Sequence, residues 1–332
     1  MGLTLDMNEQ MVLLFSQLGQ FLVMIAVGFA VLRLRWLNKE DFTAFSQLLV
    51  RLLLPLFLLT TIPAAGSRAD LLASLPLIAL AATAQLLLIA LGIIAARLIR
   101  LPDKTARTHA ICNAITNIGF MGIPLGASLF GAPGILAASM FTVSNDMLMW
   151  SLGRGIFTRQ INLGFAKRDD QDAGLQPRFN FRSLINANLI GVLLGCVLLA
   201  LEINPAGNLV WDALTGISSM CRYLPMIIIG GMLATFEFQN LRRFAPTLLI
   251  VLTKLLVVPL AIAVLLSWLW PEMSEINFKM LIIGLAIPTF ATSVAAATAY
   301  GADAQYAAGC TTVTTLASML TLPVIVFVIG FL

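Results

Sequence analysis

The chain has 332 residues, of which 59% are hydrophobic and only 11% charged, with a mean hydropathy of +0.95. Soluble domains carry about a quarter charged residues, so a soluble enzyme or regulatory domain is excluded and a polytopic, all-α membrane protein follows. The net charge of +4 and pI near 9.1 do not point to nucleic acid, because the basic residues lie in short loops between apolar runs, where membrane topology accounts for them.

A secretory signal starts with positive charge, whereas the first ten residues carry Asp6 and Glu9 and no Lys or Arg. Residues 11–32 are therefore read as a retained first span. A hydrocarbon core of roughly 30 Å takes about 20 helical residues. Apolar runs of that length divide the chain into ten spans, near 11–32, 43–62, 71–96, 108–130, 134–156, 183–201, 208–235, 245–269, 279–300 and 304–331. Cys112, Cys196, Cys221 and Cys310 all fall inside these runs without a CxxC spacing, so they are read as small hydrophobes rather than metal or redox ligands.

Positively charged loops stay in the cytoplasm. Arg33, Arg35 and Lys39 follow span one; Arg97, Arg100, Lys104 and Arg107 follow span three; Arg154, Arg159, Lys167, Arg168, Arg178 and Arg182 surround or follow span five; Arg242 and Arg243 follow span seven. The other side has only Arg68 and Lys279. Both termini are thus expected outside, with the hydrophilic segment 158–182 as a cytoplasmic linker.

The fourth span contains residues 113–131, NAITNIGFMGIPLGASLFG. Asn113, Thr116, Asn117, Gly119, Gly122 and Pro124 near its middle predict a broken helix whose freed backbone groups line a cavity. Features recur 170 residues later: Pro55 with Pro225, Phe130-Gly131-Ala132 with Tyr300-Gly301-Ala302, Ala137-Ala138 with Ala307-Ala308, and Thr142-Val143 with Thr312-Val313. Five spans per half give the second half the opposite orientation, which makes an inverted repeat. In that register Asn117 falls opposite Ile287, beside Pro288, so the fourth and ninth spans both break at midplane. Matched broken helices are the sequence signature of a transport site.

At these residues the chain resembles the auxin efflux carrier family, which includes plant carriers and bacterial relatives described as malate or malonate permeases. NIGFMGIPL at 117–125 looks like the family's Asn-to-Pro crossover, AIPTFATSVAAATAYGADAQ at 286–305 like its second crossover, TKLLVVPLA at 253–261 like its eighth span and QLLVRLLLPLFLL at 47–59 like its second. The resemblance covers nearly the whole chain, and the short central loop suits a bacterial-type member in the inner membrane. It implies a scaffold of spans 1–2 (11–62) and 6–7 (183–236), and a transport domain of spans 3–5 (71–157) and 8–10 (245–332) that moves as an elevator. It also implies a small organic anion, usually a carboxylate, bound at the crossover. A homodimer would use the scaffold spans. Where some carriers have an amide in the second crossover, this chain offers Thr289, Thr292 and Ser293.

Asn117 leads the candidates, because its amide can donate to a carboxylate; alternatively it caps the half-helix near Pro124. Asn113 joins it. Gly119 and Gly122 would let backbone approach a ligand, and Pro124 and Pro288 suit the first turn of half-helices whose N-termini favour anions. Asp146, in span five, costs about 2.5–3.5 kcal/mol on insertion scales; it either takes up a proton or pairs with Lys254 of span eight, which itself supplies positive charge or a counter-ion. Arg51 suits snorkelling, Arg222 is open, and His109 suits an interfacial position. No Gly-rich phosphate loop, HExxH helix or paired-carboxylate constellation is present, so no cofactor, metal or enzyme chemistry is expected. Two alternatives share the broken helices: a sodium-coupled bile-acid-type symporter, and a channel or sensor without alternating access.

Overall fold

A computed structural model describes residues 7–161, 163–164, 187–235 and 245–332. Most of segment 158–182, together with Lys167, Arg168, Arg178, Arg182, Arg242 and Arg243, lies outside the described residues.

Every regular element among the described residues is helical, because backbone groups in lipid must find partners within their own segment. α1 (Met7–Arg33) is unbroken. α2 (Lys39–Leu48) begins where the Asp41 carboxylate takes the Asn38 N–H at 2.7 Å, passes a π turn at Leu49–Leu53 and continues as α3 (Leu54–Thr61). Ser67 and Asp70 cap α4 (Arg68–Ser74) reciprocally, and α5 (Pro76–Leu98) follows. α6 (Asp103–Cys112) stops inside the protein; beyond it a π turn at Ile118–Gly122 leads into α7 (Ile123–Leu148), and another at Met149–Gly153 into α8 (Arg154–Phe157). The second half comprises α9 (Ala187–Ala200), α10 (Leu209–Ser218), a 3₁₀ turn at Ser219–Arg222, α11 (Leu224–Ala234), α12 (Thr247–Leu252), a π turn at Thr253–Val257, α13 (Val258–Leu269), α14 (Glu275–Ala286), α15 (Ser293–Ala299) and α16 (Ala304–Ile329).

Three of the π turns immediately precede a proline near the start of the next helix: Pro55, Pro124 and Pro259. Proline supplies no N–H and its ring pushes on the carbonyl four residues back, and one widened turn relieves that clash without ending the helix.

By length and apolarity seven helical runs among the described residues can cross a membrane: Asn8–Arg33, Glu40–Ala64, Arg68–Leu98, Ile118–Phe157, Leu209–Ala234, Thr247–Leu269 and Ala304–Ile329. The protein is thus a multi-pass membrane protein, and the difference from the expected ten has local causes. α6, α14 and α15 are pieces of interrupted helices, with 10, 12 and 7 residues. α9 has 14. The run Ile118–Phe157 is 40 residues long, more than one crossing needs, and Gly131 interrupts it with φ 62 and ψ −141, a conformation open only to glycine.

Element boundaries recur at the same 170-residue separation as the sequence matches: α2 spans 39–48 and α10 spans 209–218, α3 and α11 begin at Leu54 and Leu224, and Gly131 and Gly301 both have positive φ. Packing is reciprocal as well, with α1 against α11 and α9 against α3. Glycines set both contacts: a Cβ at Gly28 or Gly230 would strike the backbone of the facing helix, and one at Gly191 would strike Pro55. Apolar side chains of α1, α9 and α10, including Phe15, Val23, Leu193, Val197 and Leu209, face outward, the surface a bilayer solvates. The residues buried most continuously are 106–126, 134–146 and 279–291, so the two breaks lie in the middle of the protein.

Candidate functional site

Where α6 ends and α14 ends, the two non-helical stretches cross and pair with each other. Asn117 N–H donates to the Pro288 carbonyl at 2.9 Å and Phe290 N–H to the Ile115 carbonyl at 3.1 Å, an antiparallel bridge centred on Thr116 and Thr289. Ile287 is extended at φ −71, ψ 148, as the residue before a proline is biased to be. Each break thus supplies backbone partners that the other has lost from its own helix.

The two central amides are then held by the helices that follow. Thr116 N–H donates to Asn145 Oδ1 at 2.9 Å, and Thr289 N–H to Thr314 Oγ1 at 3.0 Å. Asn145 is itself fixed by Gln85, whose Nε2 donates to the same Oδ1 at 2.8 Å, while Ser144 Oγ donates to Gln85 Oε1 at 2.9 Å. Gln85, Ser144, Asn145 and Thr314 carry no motif and were not legible as site residues; a lone polar residue in an apolar run shows its purpose only through its partner.

Several predicted site residues are committed to the frame. Asn113 Nδ2 donates to the Leu88 carbonyl and its Oδ1 accepts from Thr253 Oγ1, both at 2.7 Å. Thr289 Oγ1 donates to the Cys112 carbonyl at 2.8 Å. Gly119 faces the Leu54 side chain, and a Cβ at Gly122 would meet Ile118 and Ile287. Pro124 lies after the π turn, so its half-helix begins at Ile118, and Pro288 lies five residues before α15, inside the break. Pro124 thus stands in the first turn of α7, behind the π turn, whereas Pro288 is outside the first turn of α15. Thr292 is half-buried at the start of α15.

Asn117 and Ser293 behave differently. Each stands where a break passes into the next helix, and both are fully buried. Asn117 makes no side-chain cap; its Oδ1 and Nδ2, and Ser293 Oγ, have no hydrogen-bond partner. Thr116 Oγ1 and Asn145 Nδ2 share this condition. An unpaired buried polar group costs about 1–3 kcal/mol, so a cluster of them at one crossing marks a place that a polar guest completes.

Lys254, in the π turn between α12 and α13, is wholly buried and donates from Nζ to the Ile115 carbonyl at 3.0 Å. It brings positive charge against the first break. The expected pairing with Asp146 is absent: among the described residues no ion pair joins them, and Asp146 Oδ2 accepts from Asn188 Nδ2 of α9 at 3.0 Å. Their separation follows from the architecture, since α9 packs on α7 and the π turn of Lys254 packs on α16. His109 is buried rather than interfacial, with Nδ1 2.8 Å from the Tyr306 hydroxyl. Among the described residues no group of three His, Cys, Asp or Glu side chains converges as a metal site would require.

The family model described as membrane transport protein matches residues 13–326. An uncharacterized transporter of Methanothermobacter thermautotrophicus is 24% identical over 312 residues, covering 91% of this chain and 94% of that protein. Two paired breaks in a multi-pass helical bundle, matched end to end by this family model, place the chain in the membrane transport protein family of auxin efflux carriers and make it a membrane transporter.

Proposed function

We propose that the protein is a secondary transporter of small organic anions, carboxylates such as malonate or malate, bound where the two breaks cross. The observation that carries this reading is the buried, unpartnered amide of Asn117 beside the hydroxyls of Thr116 and Ser293 on the crossing stretches. Asn117 Nδ2 is a donor for a carboxylate oxygen, the backbone amides opening the Ile118 half-helix add about half a positive charge, and the Lys254 ammonium lies behind the same break. An anion is thereby favoured over a cation.

The recurrence of element boundaries at 170 residues and the reciprocal packing of α1 on α11 and α9 on α3 support ten crossings arranged as two inverted five-helix repeats. On that plan 11–62 and 183–236 form a scaffold, 71–157 and 245–332 a transport domain that carries the crossing past it, and basic loops put the linker in the cytoplasm and both termini outside. The Asp146–Asn188 hydrogen bond then joins the moving part to the fixed one. An interior-negative potential contributes about 2.3 kcal/mol per charge per 100 mV, enough to drive roughly fifty-fold export of a monovalent anion.

The test is counter-flow of radiolabelled malonate and malate in liposomes holding the purified chain, beside a thermal-shift series with the same acids. Saturable counter-flow that Asn117→Leu abolishes is the expected result. Conductance without counter-flow would replace the carrier with a channel, and flux requiring sodium would favour a sodium symporter.

A further inference from the structure

The side chain of Asn145 ends in a donor that the fold does not use, and the direction of its amide is fixed. A backbone N–H can only donate, so the Asn145 atom that Thr116 N–H meets at 2.9 Å is the oxygen. The same Oδ1 takes a second bond from Gln85 Nε2 at 2.8 Å, and Ser144 Oγ holds Gln85 Oε1 at 2.9 Å. Turning the amide over would set its nitrogen against two donors at once. Nδ2 is therefore the free end, buried in a residue only 1% exposed and without a hydrogen-bond partner. Both side-chain atoms of Asn117 lack partners, which leaves its amide free to turn. Asn145 differs in presenting a donor whose identity and aim are set in advance by α5 and the first break.

Behind Asn145 stands the peptide unit that joins Ile115 to Thr116. Asn145 holds its N–H, while its carbonyl accepts from Phe290 N–H at 3.1 Å and from Lys254 Nζ at 3.0 Å. A trans peptide points its N–H and C=O to opposite sides, and no cis bond occurs among the described residues. Lys254 and Asn145 thus grip one peptide unit from its two sides. The ammonium draws electron density onto the Ile115 oxygen, which makes Thr116 N–H a stronger donor. The Asn145 amide is conjugated in the same way and passes the polarisation to Nδ2. Hydrogen bonds in series strengthen one another by about 10–30% each. Lys254 is wholly buried, and among the described residues no carboxylate forms an ion pair with it. A charge at that depth is costly, and an uncharged donor could hold the Ile115 carbonyl equally well.

We propose that Asn145 Nδ2 is a second donor to the transported anion, and that Lys254 acts on the anion through the 115–116 peptide and Asn145 rather than by touching it. This rests on the organic-anion function proposed above. The line of bonds runs from Lys254 Nζ to the Ile115 carbonyl, from Thr116 N–H to Asn145 Oδ1, and from Asn145 Nδ2 to a carboxylate oxygen. No proton changes owner along it; only electron density shifts. α7 thereby supplies a second amide, where the second crossover has only the hydroxyls of Thr289, Thr292 and Ser293. Gln85 is a positioning residue, since it bonds to Asn145 and Ser144 and aims the donor. The carboxylate in turn answers the buried ammonium, and by linkage each favours the other to the same extent.

The test measures binding of radiolabelled malonate and malate to the full chain in nanodiscs. Asn145→Asp keeps Oδ1 for Thr116 and Gln85 but replaces the donor with an acceptor. Its Kd should rise by about tenfold or more, the loss of one hydrogen bond to a charged group, while hydrogen exchange at Thr116 stays as in the parent. An Asn145 that only braced the break would leave Kd unchanged in this variant, and that result overturns the donor. Lys254→Gln can still donate to the Ile115 carbonyl without charge. It should weaken binding in the parent, yet alter it by less than about twofold, the scatter of independent sites, once Asn145→Leu is present. An equal effect in both backgrounds overturns the relay. If Asn145→Leu does not fold, the ¹⁵N signal of Asn145 Nδ2, assigned by its loss in Asn145→Asp, decides: it should move when malonate is added to the parent, and should already differ in Lys254→Gln without malonate. A signal indifferent to Lys254→Gln overturns the relay whatever the anion. A parent that binds neither acid removes the anion reading and this donor with it, whereas a parent that binds them as tightly as Asn145→Asp overturns the donor alone.

Discussion

Replacing Asn117 with leucine separates a ligand-binding amide from a structural one by the sign of its effect on stability. In the protein without ligand, Asn117 is fully buried and neither Oδ1 nor Nδ2 has a partner. A group in that condition weakens the fold by about 1–3 kcal/mol. Leucine is close in volume and carries no polar atom, and a misfit of shape costs less than about 1.5 kcal/mol. The melting temperature of Asn117→Leu without added anion should accordingly equal or exceed that of the parent. Malonate at about a hundred times its Kd should stabilise the parent by about 2.7 kcal/mol through mass action and leave the variant where it was. A variant that melts well below the parent without anion would refute the reasoning, because the amide would then be holding the fold together through contacts of its own.

Three further outcomes follow from the packing. Asp146→Ala leaves Asn188 with neither side-chain atom paired, since Asn188 Oδ1 already lacks a partner; that alone should cost about 1–3 kcal/mol, and Asn188→Leu in the Asp146→Ala background should recover the share that belongs to this pair, read as the coupling term of a double-mutant cycle. Gln85→Leu removes two bonds, to Asn145 and Ser144, and frees the Asn145 side chain that holds Thr116 N–H; hydrogen exchange at Thr116 should accelerate, while exchange within α1 stays as it was. Gly230→Leu places a side chain against the backbone of Ile25 and Phe29, which has no rotamer with which to yield; folded protein recovered from membranes should fall severely, whereas Gly216→Leu, with open space at its Cβ, should be tolerated.

The crossing was legible from composition because Asn, Gly and Pro in the middle of an apolar run contradict a continuous helix, and Pro288 repeats the contradiction on the other side. What the side chains do there was less legible. Asn113 and Asn117 look alike in the sequence, yet one is bonded at both ends to Leu88 and Thr253 and the other is bonded at neither. That difference depends on which helices lie alongside, through contacts 25 and 140 residues away in the chain. Asp146 and Lys254 suggested each other by opposite charge, but charge gives no direction, and α9 supplied an amide to Asp146 instead. At Gly119 and Gly122 the absence of a Cβ marks close approach without saying what approaches, and the sequence did not name the neighbours Leu54, Ile118 and Ile287. The widened turns before Pro55, Pro124 and Pro259 preserve helices that a proline rule alone would end.

The pairing of the two breaks also bears on how the chain is made. Asn117 N–H and the Ile115 carbonyl find their partners on Pro288 and Phe290, about 170 residues later in the chain. At roughly 5–20 residues per second those partners emerge some ten to thirty seconds after the first break has entered the membrane. During that interval Thr116 N–H can already reach Asn145 of the same half, but the Asn117 N–H has no partner from its own half, and a chain released before residue 287 lacks the bridge. Quality control that reads unsatisfied backbone at midplane would thus tell a finished copy from an unfinished one without inspecting any other part of it.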